Sequence, residues 1–362
     1  MADRLLRALV ALTAGLTVIA WTLPLQARGD LPKALGLLPQ DSDMVVTWDY
    51  TAEGNPQSAL SLISSADMRQ ILLEEDPDVL AFDRDEPIES PAEVMARIIL
   101  TDEEFSGKIE VAALAFTFAS IEPVEQEEYL AVLGTFSQDE AAAALEGAGG
   151  RASGNGLFQF PRGQDGTQVR ASAPEDGVLL ATTEQGWLGR ALELGSERQG
   201  LMAPNSRFVN SAMTLGGRRP DAMIYLSGSL IQQGFREVPL EARGFVGPFA
   251  QSRGILITTF PAEKLRFELH SAFDNPQQAN MANQFLTQAI SMANMALQGA
   301  LREAGTQDEQ EALQEIMRAL REDVRITTSR NSTLLRIEFT RPDPEEVHST
   351  IRDMLAVPAW EF

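Results

Sequence analysis

The chain has 362 residues, with 29 Lys and Arg against 52 Asp and Glu, a net charge of -23 and no cysteine. So acidic a chain is excluded as a nucleic-acid binder or a reader of anionic membrane surfaces, because both depend on clustered Lys and Arg. The missing thiols exclude disulfides, thiolate metal sites, cysteine nucleophiles and lipid attachment through cysteine, so stability must come from an ordinary hydrophobic core, for which 44% apolar residues suffice.

Residues 1–27 have the form of a signal peptide. Arg4 and Arg7 make a positive start, residues 8–23 are apolar, and Leu25-Gln26-Ala27 precedes the expected cleavage point. The rival reading, an anchor that stays attached, is disfavoured because a run of about 16 residues falls short of the roughly 20 that span a bilayer. The expectation is an exported protein, periplasmic or secreted, with no transmembrane span after signal removal.

After a polar turn at Pro39-Gln40-Asp41-Ser42-Asp43, residues 44–49 read as the first strand. Residues 59–63 and 91–100 have helical patterns, separated by the acidic stretches 74–78 and 83–87. These lack the central Gly and regular Asp spacing of a calcium loop, and a solvated loop is expected. Residues 109–118 and 128–136 read as antiparallel neighbours, and Ser137-Gln138-Asp139-Glu140 has the spacing of a capping box that opens a helix to residue 145. The glycines of 147–156 follow a helix and end in no Lys-Ser/Thr pair, so they predict a connection, not a phosphate cradle.

Residues 157–160, 168–172 and 178–183 predict short strands, 187–194 and 207–215 helices, and 221–227 a strand. Residues 232–254, rich in Gly, Phe and Arg, predict an irregular cover. The stretch from Lys264 to Ala300 is the most regular. Leu265, Phe267 and Leu269 alternate with Arg266, Glu268 and His270 as in a strand with one wet face. Asn275 and Pro276 then suit the cap and first position of a long Ala- and Met-rich helix. A second amphipathic helix is expected over 307–321, with Leu313, Ile316, Met317 and Leu320 facing in. A hairpin over 324–328 and 333–339 and a last helix over 344–355 complete the chain. In the hairpin, Ile337 is expected on the core and Arg336 on the opposite face, so Ile337→Asp should cost roughly 3 kcal/mol or more and Arg336→Asp under about 1.

The two halves share this order of elements. The expected fold is therefore α+β, two pseudo-repeats of β-β-β-α-β-β-α over residues 28–200 and 201–362, with mainly antiparallel sheets and helices packed on one face. Leu38-Pro39 with Asp41-Ser42 ahead of a strand, Gly177-Val178-Leu179-Leu180, Leu201, Asn205-Ser206 and Phe208 ahead of residues 221–226 make most of the chain similar to exported bacterial proteins grouped only as domains of unknown function. That resemblance implies an exported α+β protein and carries no catalytic residue, cofactor or metal.

Chemistry is sparse. With only His270 and His348, a site of three His ligands is excluded, and no Gly-x-Ser-x-Gly, Ser-x-x-Lys, His-Glu-x-x-His or Walker pattern occurs. The leading expectation is a non-enzymatic binding or assembly module acting through protein contacts. The alternative is a carrier of an apolar small molecule, with Met281, Phe285, Met292 and Met295 of the long helix lining its cavity. A hydrolase with a non-sequential site comes third.

Overall fold

The computed structural model describes residues 31–39, 41–52, 87–121, 124–154, 156–163, 166–184, 186–189, 220–237, 247–260, 265–303 and 307–339. In chain order these form α1 (Leu31–Gly36), β1 (Met44–Asp49), α2 (Pro91–Thr101), α3 (Glu103–Ser106), β2 (Ile109–Ile121), β3 (Val124–Gly134), α4 (Gln138–Gly147), β4 (Arg151–Gly154), β5 (Leu157–Gln159), β6 (Arg170–Glu175) and β7 (Val178–Thr182). There follow β8 (Ala222–Ser227), α5 (Gly228–Glu237), β9 (Gly254–Phe260), β10 (Leu265–Ala272), α6 (Pro276–Glu303), α7 (Gln307–Glu322), β11 (Val324–Ser329) and β12 (Ser332–Phe339). The helices expected at 59–63, 207–215 and 344–355, and most of that at 187–194, lie outside the described residues.

The strands make one antiparallel sheet of twelve, in the order β11-β12-β10-β9-β8-β1-β2-β3-β7-β6-β5-β4. The fold is therefore α+β. Next to its centre β1 pairs with β8, where Met44 stands opposite Leu226 and Trp48 opposite Ala222. Because side chains alternate, each row of partners lies on one face. One such row crosses most of the sheet as Glu128, Phe116, Met44, Leu226, Ile255, Ser271 and Thr333.

On that face Met44, Val46 and Trp48 pack with Leu114, Phe116 and Leu130 against Val94, Met95 and Ile98 of α2 and Ala141, Ala144 and Leu145 of α4. Leu230 of α5 joins the same cluster. The opposite face is covered as well. Leu31, Ala34 and Leu35 of α1, together with Trp187 and Leu188, pack on Val45, Ala113, Ala115, Tyr129 and Tyr225. This corrects the expectation of helices on one face: β1 is buried at all six positions, so it needs cover from both sides. The irregular stretch expected from residue 232 is also corrected in its first part, which belongs to α5.

The helix ends follow local chemistry. Ser137 Oγ accepts from the Glu140 amide at 3.2 Å while the Glu140 carboxylate accepts from the Ser137 amide at 2.7 Å, a complete capping box. Ser90 caps α2, with Pro91 in the first turn. The return from β6 to β7 turns at Gly177, whose φ of 73° lies in the left-handed region and whose added Cβ would sit 2.5 Å from the Gly134 carbonyl oxygen. Gly177→Ala is therefore expected to cost about 2 kcal/mol in urea denaturation through strain and clash together, and a loss under about 0.5 would contradict this close approach.

Candidate functional site

The longest helix, α6, is positioned by the joint that the sequence spells most clearly. Asn275 Oδ1 accepts from the Gln278 amide at 3.0 Å, and Pro276 follows as the first helical residue. Across the sheet, Thr333 donates its hydroxyl to the Ala279 carbonyl at 2.8 Å within a buried contact. Ala279 and Ala282 are fully buried and cluster with Phe273 and Phe249, while Leu286, Ala289, Ile290, Ala293 and Leu297 continue the same inner stripe half-buried. Small side chains at the first contacts let the helix lie close to the strands.

The outer side of α6 is unusual for this chain. Residues 276–301 contain no Asp, Glu, Lys or Arg, although 22% of the whole chain is charged. Between residues 277 and 300 the exposed side chains are those of Asn, Gln, Ser, Thr, Ala and Met, with Gly299 among them. Met281 is 52% exposed, Met292 40% and Met295 60%. At about 100° per residue the three fall within about 60° of one another around the helix, opposite the inner stripe. Phe285 leaves the helix on the same side, about 20° from Met292, but is half-buried, with its ring edge-on to Phe249 at a centroid distance of 5.8 Å. So of the four residues singled out in the sequence, three are exposed and the fourth, on the flank of the same face, is half-buried against Phe249.

The sheet beside α6 is also thinly covered. In the row that runs from Leu130 through Leu114, Val46, Ile224, Ile257, Leu269 and Leu335, the first three are buried and the last four only half-buried, and Phe267 nearby is 37% exposed.

On the opposite face of β10 and β12 lies a cluster of charges. Glu268 stands directly across from Arg336 in the ladder, with Arg266 and His270 two residues away on either side. The Glu268 carboxylate accepts from Arg266 Nε at 2.8 Å, Arg336 Nε at 2.8 Å and His270 Nε2 at 3.1 Å. Glu268 is 2% and His270 4% exposed, so the expected wet face is a covered one. Burial pushes the Glu268 carboxyl up, but the hydrogen bonds from His270 and Arg266 and the two guanidinium charges outweigh it and hold the carboxyl at about 2. An ionised Glu268 requires His270 Nε2 to carry the proton it shares. His270 is thereby occupied and closed to solvent. The arrangement neutralises the charge of the Glu268 carboxylate. His348 lies outside the described residues.

A second buried carboxyl, Glu128 of β3, is 7% exposed and sits under the N-terminus of α2. Gln126 Nε2 donates to it at 2.7 Å, and so does the hydroxyl of Ser90, which also accepts from the Glu93 amide at 3.2 Å. Burial pushes Glu128 up to about 7; the two hydrogen bonds restrain the rise and the Glu93 carboxylate adds to it. As one of 52 acidic residues it carried no signal in the sequence.

Among the described residues no three or more His, Cys, Asp and Glu gather in a way that holds a metal ion, and no helix is long and apolar enough to cross a membrane. Comparison of the chain with protein-family models, curated proteins and solved structures returned no match.

Proposed function

We propose that the protein is an exported, non-enzymatic binding or assembly module that works through protein contacts, and that its contact surface is the outer face of α6. The observation that carries this reading is the 26-residue stretch without an ionisable side chain on a helix that exposes three methionines. Interface cores are depleted in charge and enriched in Met, whereas an ordinary solvated helix of an acidic protein carries charges, as α7 does with Asp308, Glu309, Glu311, Glu315, Arg318, Arg321 and Glu322. The carrier of an apolar small molecule draws less support, because its methionines would have to be enclosed and three of them face outward.

A photo-crosslinking residue at Gln288, between Met281 and Met292 on this face, tests the reading in the protein's own cell. A discrete protein adduct is expected at Gln288 and none at Gln314 of α7, which is also exposed. Equal adducts at both positions, or none at Gln288, would contradict it. The triple variant Met281→Glu, Met292→Glu, Met295→Glu should lose the adduct while unfolding within about 0.5 kcal/mol per site of the parent, since exposed positions contribute little to the core.

Export rests on the signal-like residues 1–27, and mass spectrometry of the mature N-terminus tests it, with Arg28 the expected first residue. A duplication over 28–200 and 201–362 is supported by strand order. In β1-β2-β3-β7-β6 and in β8-β9-β10-β12-β11 the last strand of each set lies beside the third, and the strand before it lies outside. Superposing the two sets tests the duplication, and mismatched buried faces would contradict it.

A further inference from the structure

We propose that Met281, Met292 and Met295 form an oxidation site, through which a hydroperoxide switches the contact face of α6 off. This rests on the reading of α6 as a contact surface. The seven described methionines divide sharply: Met44 is 6% exposed, Met95 1%, Met223 0% and Met317 7%, against 52%, 40% and 60% for Met281, Met292 and Met295. Among the described residues all three open thioethers lie on one face of one helix, and the chain has no cysteine to intercept an oxidant first.

In the reaction a sulfur lone pair attacks the outer oxygen of the hydroperoxide. The S–O bond forms as the O–O bond breaks, the departing oxygen leaves as water or an alcohol after taking up the proton, and the thioether sulfur loses the two electrons that the peroxide gains. The product sulfoxide is polar and must be hydrated. On a face that has no charge and binds by excluding water, three such groups remove the apolar contact without touching the core. The sulfoxide is reducible, so the switch is reversible when a reductase acts on it.

The test uses the full chain treated with hydrogen peroxide and read site by site by mass spectrometry. Met281, Met292 and Met295 are expected to oxidise at least about tenfold faster than Met44, Met95, Met223 and Met317, with the melting temperature unchanged until the slow sites react. Comparable rates at the two groups, or early loss of the fold, would overturn the site. The Gln288 crosslink then reads the switch. Peroxide should abolish the adduct in the parent but not in Met281→Leu, Met292→Leu, Met295→Leu, which keeps an apolar face that cannot oxidise. Equal loss in both proteins, or no loss in the parent, would overturn the switch. Absence of the adduct before any peroxide is added would instead remove the contact reading, leaving the site-selective oxidation to stand or fall by its own rates.

Discussion

Replacing Glu268 with leucine is expected to lower the unfolding free energy by about 3 to 5 kcal/mol, because it leaves Arg266, Arg336 and His270 covered by protein with no negative partner. The same geometry reverses an order that strand alternation alone suggests. Arg336→Asp places a second carboxylate opposite a buried one, so it should cost more than Ile337→Asp, whose site is only half-buried. Urea denaturation at pH 7 checks all three variants. A loss under about 1 kcal/mol for Glu268→Leu would mean that water reaches the cluster freely. The pH dependence has a definite sign. The folded carboxyl is held at about 2, below its ordinary value of 4.5, so its stabilisation is complete above about pH 4.5 and is lost as pH falls through about 2.

Glu128 acts in the opposite direction. Its folded carboxyl is pushed up to about 7, so the folded state holds a proton that the unfolded chain releases near 4.5. The stability it permits is therefore fully present below about pH 4.5 and falls as pH rises through about 7, by up to about 3 kcal/mol. Glu128→Gln keeps the size of the side chain and cannot ionise. The variant should be the more stable protein at pH 8 by about 2 kcal/mol or more and should lose the decline between pH 5 and 8. Thermal melts across that range test it. A parent and variant with parallel pH profiles would show that Glu128 is already ionised at pH 5. Taken together, the two carboxyls place their joint optimum near pH 4.5 to 5, where Glu268 is ionised and Glu128 is still protonated.

These two residues also mark how far the sequence could be read. Elements specified by neighbours in the chain were legible. Ser137 and Glu140 spell a capping box, Asn275-Pro276 opens α6, the alternation over 265–272 marks β10, and the β-rich runs 324–328 and 333–339 make a hairpin with a two-residue turn. The turn itself holds a surprise, since the left-handed residue is Arg330 with φ 49° and not the Asn331 that tolerates it better. Alternation identifies which residues share a face, and it correctly grouped Arg266, Glu268 and His270. It does not say whether that face is covered, because the cover comes from residues distant in the chain. The apolar part of the same face is closed by a cluster that joins α1, near the start of the described chain, to Tyr225 and Leu256 of strands nearly two hundred residues later or more.

For the candidate site the reading succeeded on composition and stopped at orientation. Met281, Phe285, Met292 and Met295 stood out as a stripe that widens the apolar arc of the helix. Whether that stripe turns toward a cavity, toward the sheet or toward solvent depends on where α7 and the strands sit. The structure turns the inner Ala and Leu stripe onto Thr333 and Phe273 and leaves the methionines open. The missing charge on residues 276–301 was visible in the sequence from the start, but it gains meaning only once those residues are known to be exposed.

Native mass spectrometry of the protein purified from its own cell is the most direct test of α6 as a protein-contact surface. The parent chain should carry a protein partner, and the variant Met281→Glu, Met292→Glu, Met295→Glu should appear alone with an unchanged melting temperature. A parent that retains a lipid-sized mass in place of a protein, or a partner held equally by both chains, would contradict it.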